Sequence, residues 1–233
     1  MTEEFDFERY WLGKFSNCLE DVAGEEVRDQ IMAGSEGLSM ASPREDVIHW
    51  SQEAMQLLED LVEDEGDRRQ IMTGCACQYP VEDLQNVKRT YQESGDLDAA
   101  DRMLQIKFED FMQHTLNLPD DIFTEIVKRG WGLAGIRVGN HIIATKIPKS
   151  GFLIDYMRED DPQKKRAYYC HCPRVRSALE QDESLSPTYC YCGAGFYKGI
   201  WEEIIGEPVK VEVLESVLSG GEVCKVKITL PEN

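Results

Sequence analysis

The sequence predicts an α+β fold, in which a mainly helical region of residues 1–135 packs on a C-terminal antiparallel sheet. The sheet belongs to an α+β, cysteine-rich region of residues 136–233. Apolar residues recur at helical spacing up to about residue 130, and short alternating segments with glycine-rich turns follow. A chain of 233 residues is long enough for one large domain or two small ones, so it needs no cross-link merely to fold.

The first helices are predicted from stripes of apolar residues at three- and four-residue spacing. One stripe consists of Phe7, Tyr10, Trp11, Phe15, Leu19 and Val22, and another of Val47, Trp50, Ala54, Leu57 and Leu61. The segment "SPRED" at 42–46 predicts the start of the second of these helices. Ser42 is expected to cap it, with Pro43 in the first helical position and Glu45 completing a capping box.

Two more helices are predicted before residue 131. One begins near Asp98, and its residues Met103, Ile106 and Phe111 are expected to face inward. The other lies in "LPDDIFTEIVKRG", where proline and acidic residues come early, basic residues come late, and Gly130 ends the helix.

The C-terminal region is predicted to contain strands and one helix. "HIIATKI" is typical of a strand, and the alternation in "AYYCHC" and "TYCYC" indicates two more. "AGFYKGIWEEIIG" predicts a short helix that ends at Gly206. "PVKVEVLESVL", "SGG" and "EVCKVKITL" together predict a β-hairpin.

Charge and hydropathy exclude several classes of partner. The formal charge of −19 argues against nucleic acid and against an anionic membrane surface. No apolar run approaches the roughly 18 residues that a membrane span needs, and the acidic N-terminus lacks the features of a signal peptide. We therefore expect a cytoplasmic protein. Its acidic first 70 residues are either a solvated face or a docking surface for a basic partner, and nothing in the sequence indicates an oligomeric state.

Six of the eight cysteines form three Cys-x-Cys pairs, and in a reducing compartment such clustering favours metal binding or redox chemistry over disulfides. The pairs are Cys75 and Cys77, Cys170 and Cys172, and Cys190 and Cys192. Thiolates select zinc, copper(I) or iron–sulfur centres. We therefore predict that these six residues are metal ligands, with zinc as the ion and an iron–sulfur cluster as the alternative. Packing as small apolar side chains, a redox thiol and a catalytic nucleophile are the other interpretations. Cys75 and Cys77 either complete the site of the other pairs, form a second site, or cycle between thiols and a disulfide. The single residues Cys18 and Cys224 are expected to pack as small apolar side chains.

Chain geometry limits how such a pair binds one ion. Positions i and i+2 of a regular strand lie about 6.6 Å apart, whereas two sulfurs on one tetrahedral zinc are about 3.8 Å apart. Pro173 and Gly193 directly follow two of the pairs, and both residues favour leaving strand geometry. We therefore expect two bent knuckles that together form one thiolate site.

Aromatic, imidazole and ammonium groups near the cysteines are candidate ligand-binding residues. They are His171, Tyr169, Tyr191, Trp201 and Lys146. If the strand alternates, the ring of His171 points away from the thiols, where it would act as a general acid or base facing a pocket. The aromatic residues either form a core over the metal knuckle or line a pocket for an apolar ligand.

The segment "CGAGFYKGIWEEIIGEPVKVEVLESVLSGGEVCKVKITLP" resembles the end of the 4-vinyl reductase type of small-ligand domain, also described as hydrocarbon-binding. The three cysteine pairs with "TKIPKSG" and "YCHCP" also resemble an uncharacterised cysteine-rich prokaryotic family, and the C-terminal pattern weakly resembles a hydrolase family acting on 2-amino-thiazoline-4-carboxylate. The resemblance to the 4-vinyl reductase type implies an α+β domain that binds or senses a small ligand.

The sequence thus predicts a metal-binding protein, with zinc as the ion, whose thiolate site lies beside a small-molecule pocket. A thiol- or metal-dependent hydrolase or reductase is one alternative, and an iron–sulfur or redox-sensing protein is another.

Overall fold

The N-terminal part of the chain is helical in a computed structural model that describes residues 5–231. Its helices are α1 (Phe7–Ala23), α2 (Glu25–Met32), α3 (Arg44–Leu61), α4 (Glu65–Gly74), α5 (Val81–Ser94), α6 (Leu97–Asp110) and α7 (Asp120–Lys128). A π-helical turn, Phe111–Thr115, extends α6. None of the helices within the described range combines the length and the apolarity that a membrane crossing needs.

The C-terminal part mixes helices with a four-stranded sheet. Its elements are β1 (Ile136–Val138), β2 (His141–Thr145), α8 (Leu153–Arg158), α9 (Pro162–Tyr169), α10 (Pro173–Glu180), α11 (Tyr191–Ile205), β3 (Lys210–Glu215) and β4 (Lys225–Thr229). The strand order is β1-β2-β4-β3, and every neighbouring pair is antiparallel. The α+β class, the strand near residue 141, the helix ending at Gly206 and the C-terminal hairpin are therefore confirmed.

The predicted cap of α3 is wrong. Pro43 occupies the cap position, and no side chain caps the helix. The Ser42 hydroxyl instead accepts a hydrogen bond from the Ser39 amide at 3.0 Å, so the preceding turn uses the group that was expected to cap α3. Aspartates cap other helices: Asp64 begins α4 and Asp96 begins α6, each by accepting from a backbone amide three residues later.

The inward face predicted for α6 is also wrong. Ile106 is 65% exposed and Phe111 is 38% exposed, and Met103 is only partly buried. The buried residues are Ala100, Leu104 and Phe108, which follow the i, i+4 row of the helix. Packing against α5 selects this row, because Ala100 and Leu104 share a core with α5.

The strands predicted at "AYYCHC" and "TYCYC" are wrong. Helix α9 ends at Tyr169, and the three residues from Cys170 to Cys172 connect it to α10. The second segment is a 3-10 turn, Pro187–Cys190, that leads directly into α11. Proline is suited to a first helical position, and it begins both α10 and the 3-10 turn. The short alternation that suggested strands instead places cysteines at helix ends.

Two hydrophobic clusters form the core, and each contains residues from both sides of residue 135. The first joins α1, α3 and α4 with residues around α9 and α10. The second joins α5 and α6 with α11 and the sheet. Helix α11 contacts α4, α5, β3 and β4, so it connects the N-terminal helices to the sheet.

A thiol-lined cavity as the candidate functional site

A cavity of about 750 Å³ lies where the two clusters meet, and its wall is mostly apolar. Trp11 and Tyr169 from the first cluster and Tyr197 and Val226 from the second contribute to its lining. Six cysteines also line it: Cys77, Cys170, Cys172, Cys190, Cys192 and Cys224. They come from four separate chain segments, so only the folded chain brings these thiols together. We call this feature the thiol cavity.

The α9–α10 connection supplies one wall of the thiol cavity. The backbone turns there because α9 ends at Tyr169 and Pro173 begins a new helix. The Tyr169 hydroxyl donates to the Lys146 carbonyl, and the Lys149 amide donates to the Tyr169 carbonyl at 3.1 Å. These bonds attach the segment after β2 to the cysteine-bearing turn. Cys170 and Cys172 thereby face the same space as Lys146.

The start of α11 and the start of β4 supply the facing wall. Cys190 ends the 3-10 turn and Cys192 lies in the first turn of α11. The Trp11 indole N–H donates to the Cys192 Sγ at 3.4 Å, so α1 also contributes to this wall. Cys224 directly precedes β4, and its carbonyl accepts from the Lys146 amide at 3.0 Å. Cys224 was expected only to pack, yet its side chain lines the thiol cavity.

Burial keeps the five buried or partly buried cysteines of the thiol cavity in the thiol form. It raises the pKa of Cys190 and of Cys192 to about 12, and it raises the pKa of Cys170 well above the usual value. The pKa values of Cys172 and Cys224 are raised for the same reason. These five side chains are therefore neutral and polarisable near pH 7, and any chemistry that needs a thiolate must first remove a proton.

His171 is held as a neutral imidazole at the edge of the thiol cavity. Burial, followed by the positive charges of Lys146 and Lys149, holds its pKa well below the usual value. Its Nε2 lies 2.8 Å from the Ile147 carbonyl, which only accepts hydrogen bonds, so Nε2 carries the proton. Nδ1 is therefore unprotonated and available as an acceptor.

Three cations line the thiol cavity without a carboxylate partner. Among residues 5–231, no carboxylate oxygen lies within the 4.0 Å ion-pair distance of Lys146, Lys149 or Arg176. The Lys146 ammonium lies 5.0 Å from the centre of the Phe196 ring, and the Arg176 guanidinium lies 4.9 Å from that of Phe152. One buried nitrogen of Arg176, Nη1, has no hydrogen-bond partner within the described residues. Asp83 and Glu215 also line the cavity, and Glu215 is paired with Lys225. In a chain of charge −19, the three unpaired cations therefore make their own part of the wall attractive to an anion.

The predicted site residues fall into two groups. The thiol cavity brings together His171, Tyr169, Lys146, Cys77 and the four cysteines at 170–192. The remaining three do not line it. Tyr191 lies beneath the Arg69 guanidinium, Trp201 is fully buried in the second cluster, and Cys75 is buried beside Cys18.

The cysteines do not form a compact metal cluster. In the part of the chain that the structure describes, no three His, Cys, Asp or Glu side chains are grouped closely enough to hold one ion. All eight cysteines are free thiols. The donors suit a soft metal, but their spacing around a cavity does not match a closed four-sulfur site.

Sequence reasoning did not assign the lining residues Trp11 and Cys224 to the site. Trp11 was predicted only as part of an apolar stripe, and a stripe does not reveal that the indole N–H contacts a thiol. Arg174, Arg176 and Lys198 were expected to offset the charge of a thiolate site, because they lie near the cysteine pairs in the sequence. Of these three cations, only Arg176 lines the thiol cavity.

Comparison with known proteins adds one match. Residues 156–233, about a third of the chain, match the model of a family of unknown function (DUF6144). No curated protein matches the chain, and no solved structure matches it. The matched segment contains Cys170, Cys172, Cys190, Cys192 and Cys224, but not Cys77. Any functional conclusion must therefore be argued from the thiol cavity itself.

Proposed function

We propose that this protein binds a small molecule with an apolar body and an anionic group in the thiol cavity. The observation that carries the proposal is one mostly apolar cavity of about 750 Å³ bordered by three unpaired cations. That volume lies within the range of small-molecule sites, which is roughly 300–1,000 Å³.

The apolar wall supports an apolar ligand body. An apolar body inside this cavity would be removed from water and would gain dispersion contacts with its wall. The neutral thiols and the aromatic rings of Trp11, Tyr169 and Phe196 are polarisable surfaces that suit such a body.

The cations support an anionic group on the ligand. Lys146, Lys149 and Arg176 carry charge into a largely apolar space, where an unpaired charge is costly. A bound carboxylate or similar anion would compensate them, and Arg176 Nη1 offers a buried donor without a partner among the described residues. Neutral His171 adds an acceptor rather than a further positive charge.

A direct test compares matched ligands. The native chain is titrated with the fluorescent anion 1-anilinonaphthalene-8-sulfonate, which is then displaced by dodecanoate or by the neutral dodecanol. We expect dodecanoate to displace the probe more strongly than dodecanol. Lys146→Met should weaken dodecanoate binding by about 10- to 150-fold, since a charge-assisted hydrogen bond contributes roughly 1.5–3 kcal/mol.

The control for this substitution is Lys164→Met, because Lys164 is exposed and lies outside the cavity lining. It should leave both ligands unaffected. Equal displacement by acid and alcohol in the native chain would contradict the anionic part of the proposal. Absence of binding by the probe and by both ligands would contradict the proposal as a whole.

A second candidate function is binding of zinc or of an iron–sulfur cluster by the cavity thiols. It is favoured by the convergence of the pairs at 170–172 and 190–192 on one cavity. The thiols would have to lose protons and move together around the ion. Metal analysis of untagged protein, purified anaerobically, tests this candidate. Less than about half an equivalent of zinc or iron, with every thiol titratable, would exclude it.

The enzymatic alternatives and the cytoplasmic location are proposals of the same kind. A thiol- or metal-dependent hydrolase or reductase would use the thiol cavity as its active site, with the Nδ1 of His171 accepting a proton. The resemblance to the 4-vinyl reductase type of domain supports ligand binding within the C-terminal segment. A reducing cytoplasm is consistent with eight free cysteines.

A further inference from the structure

Cys18 and Cys75 form a second thiol pair outside the thiol cavity. Cys18 lies on α1 and Cys75 directly follows α4, and these two helices pack against each other. The Cys75 thiol donates to the Ile71 carbonyl at 3.1 Å, and its sulfur lies beside the Cys18 side chain. Neither side chain lines the cavity. The proposed ligand site therefore does not account for this contact.

The close approach of the two helices depends on Gly74. A Cβ at this position would lie 2.5 Å from the Cys18 Sγ, so any larger residue would force that thiol to move. The contact thus places Cys18 against the end of α4, directly beside Cys75.

The two thiols differ in access to solvent. Cys18 is partly exposed, whereas Cys75 is 1% exposed. The neighbouring Cys75 side chain, and to a smaller extent the positive charge of Lys14 one turn earlier on α1, lower the pKa of Cys18 to about 7 and favour its thiolate. An accessible attacking thiol beside a protected second thiol is the arrangement that dithiol exchange requires.

We propose that Cys18 and Cys75 are a thiol–disulfide exchange site for low-molecular-weight disulfides, with glutathione disulfide as the representative oxidant. The Cys18 thiolate attacks one sulfur of the oxidant, its S–S bond breaks, and one glutathione thiolate leaves. The Cys75 sulfur then attacks Cys18, the mixed disulfide breaks, and the second glutathione thiolate leaves. The two leaving thiolates take up the protons that Cys18 and Cys75 lose. Two protein thiols are oxidised to one disulfide, and one glutathione disulfide is reduced to two thiols.

Peptide mapping tests this proposal on the full chain. Reduced protein is equilibrated with rising ratios of glutathione disulfide to glutathione, quenched by alkylation and digested with trypsin without reduction. Cleavage places Cys18 in peptide 15–28 and Cys75 in peptide 70–88, which also contains Cys77. We expect these two peptides to become linked. The Cys77→Ser variant should retain the link, which would assign it to Cys75.

Two further variants complete the test, each checked first for an unchanged circular dichroism spectrum in the reduced form. Cys18→Ser should abolish the linked peptide. Cys75→Ser should instead leave Cys18 joined to glutathione, because the second step is missing. A link that disappears in Cys77→Ser would overturn the proposal, and so would a Cys18 that stays free at ratios where exposed Cys77 is modified. The assay needs no cavity ligand, so its outcome is independent of the proposed binding function.

Discussion

Gly195 allows a direct test of the close packing between α11 and α4. It lies inside α11 and is buried, and a Cβ built there would overlap the Thr73 carbonyl oxygen and lie 2.7 Å from the Ala76 Cβ. Gly199 lies one turn later on the same helix, is exposed, and has no atom within 4 Å of an added Cβ. Gly195→Ala and Gly199→Ala therefore make the same chemical change in two different surroundings.

The expected magnitudes follow from two opposing terms. Replacing glycine by alanine inside a helix stabilises it by about 1 kcal/mol. Overpacking a tightly packed contact costs about 1–3 kcal/mol, and the upper end applies to Gly195 because the clash is with backbone. Gly199→Ala should therefore stabilise the protein by about 1 kcal/mol, whereas Gly195→Ala should destabilise it by about 2 kcal/mol. The roughly 3 kcal/mol between the variants corresponds to a Tm difference of about 6–12 °C.

Urea denaturation followed by circular dichroism measures both free energies of unfolding. The displacement of α11 should also weaken binding of 1-anilinonaphthalene-8-sulfonate, because Cys192 and Phe196 line the thiol cavity from this helix. Gly199→Ala should leave probe binding unchanged. Equal stability of the two alanine variants would refute the close contact between α4 and α11.

Two further predictions concern buried charge. Glu8 and Arg174 are almost fully buried and form an ion pair, and Arg44 also donates to Glu8 at 2.9 Å. Glu8→Gln should therefore lower the free energy of unfolding, measured by urea denaturation, by about 3–5 kcal/mol. Adding Arg174→Met should recover part of this loss, because the unpaired buried charge is removed. Purely additive losses in the double variant would contradict this explanation. Asp101 has its pKa raised to about 6 by burial, with a smaller contribution from Asp98. Because the folded-state pKa exceeds the unfolded value, stability falls as pH rises from about 4 to about 6, and the loss is complete above that range. Asp101→Asn should thus stabilise the protein by about 1 kcal/mol at pH 7, a figure reduced because the carboxyl is partly exposed. Below pH 4 the substitution should have no effect on stability. Equal gains at both pH values would show that burial of the carboxylate charge is not the cause.

Much of the fold was accessible from local signals. Helices α1, α3, α6 and α7, the strand near residue 141 and the C-terminal hairpin were predicted because periodicity, glycine turns and charge placement are properties of short segments. Local patterns failed where a strand and a helix end can have the same short alternation of residues. The alternation in "AYYCHC" and "TYCYC" suits a strand, yet the first segment ends α9 and leads to Pro173 at the start of α10, and the second lies in the 3-10 turn that begins at Pro187.

Composition and spacing were enough to indicate a helical region followed by an α+β region and a set of clustered cysteines near aromatic residues. Tertiary packing alone decided which of those cysteines line the thiol cavity and which lie at the contact between α1 and α4. The contact between α1 and α4 places Cys75 beside Cys18, while α11 and the turn after α9 direct Cys172 and Cys192 into the thiol cavity. The physical reason is that a thiol's partners depend on which helix faces meet, and that choice depends on contacts between residues far apart in the chain. Gly74 and Gly195 illustrate this, because each permits a close approach that no local pattern encodes.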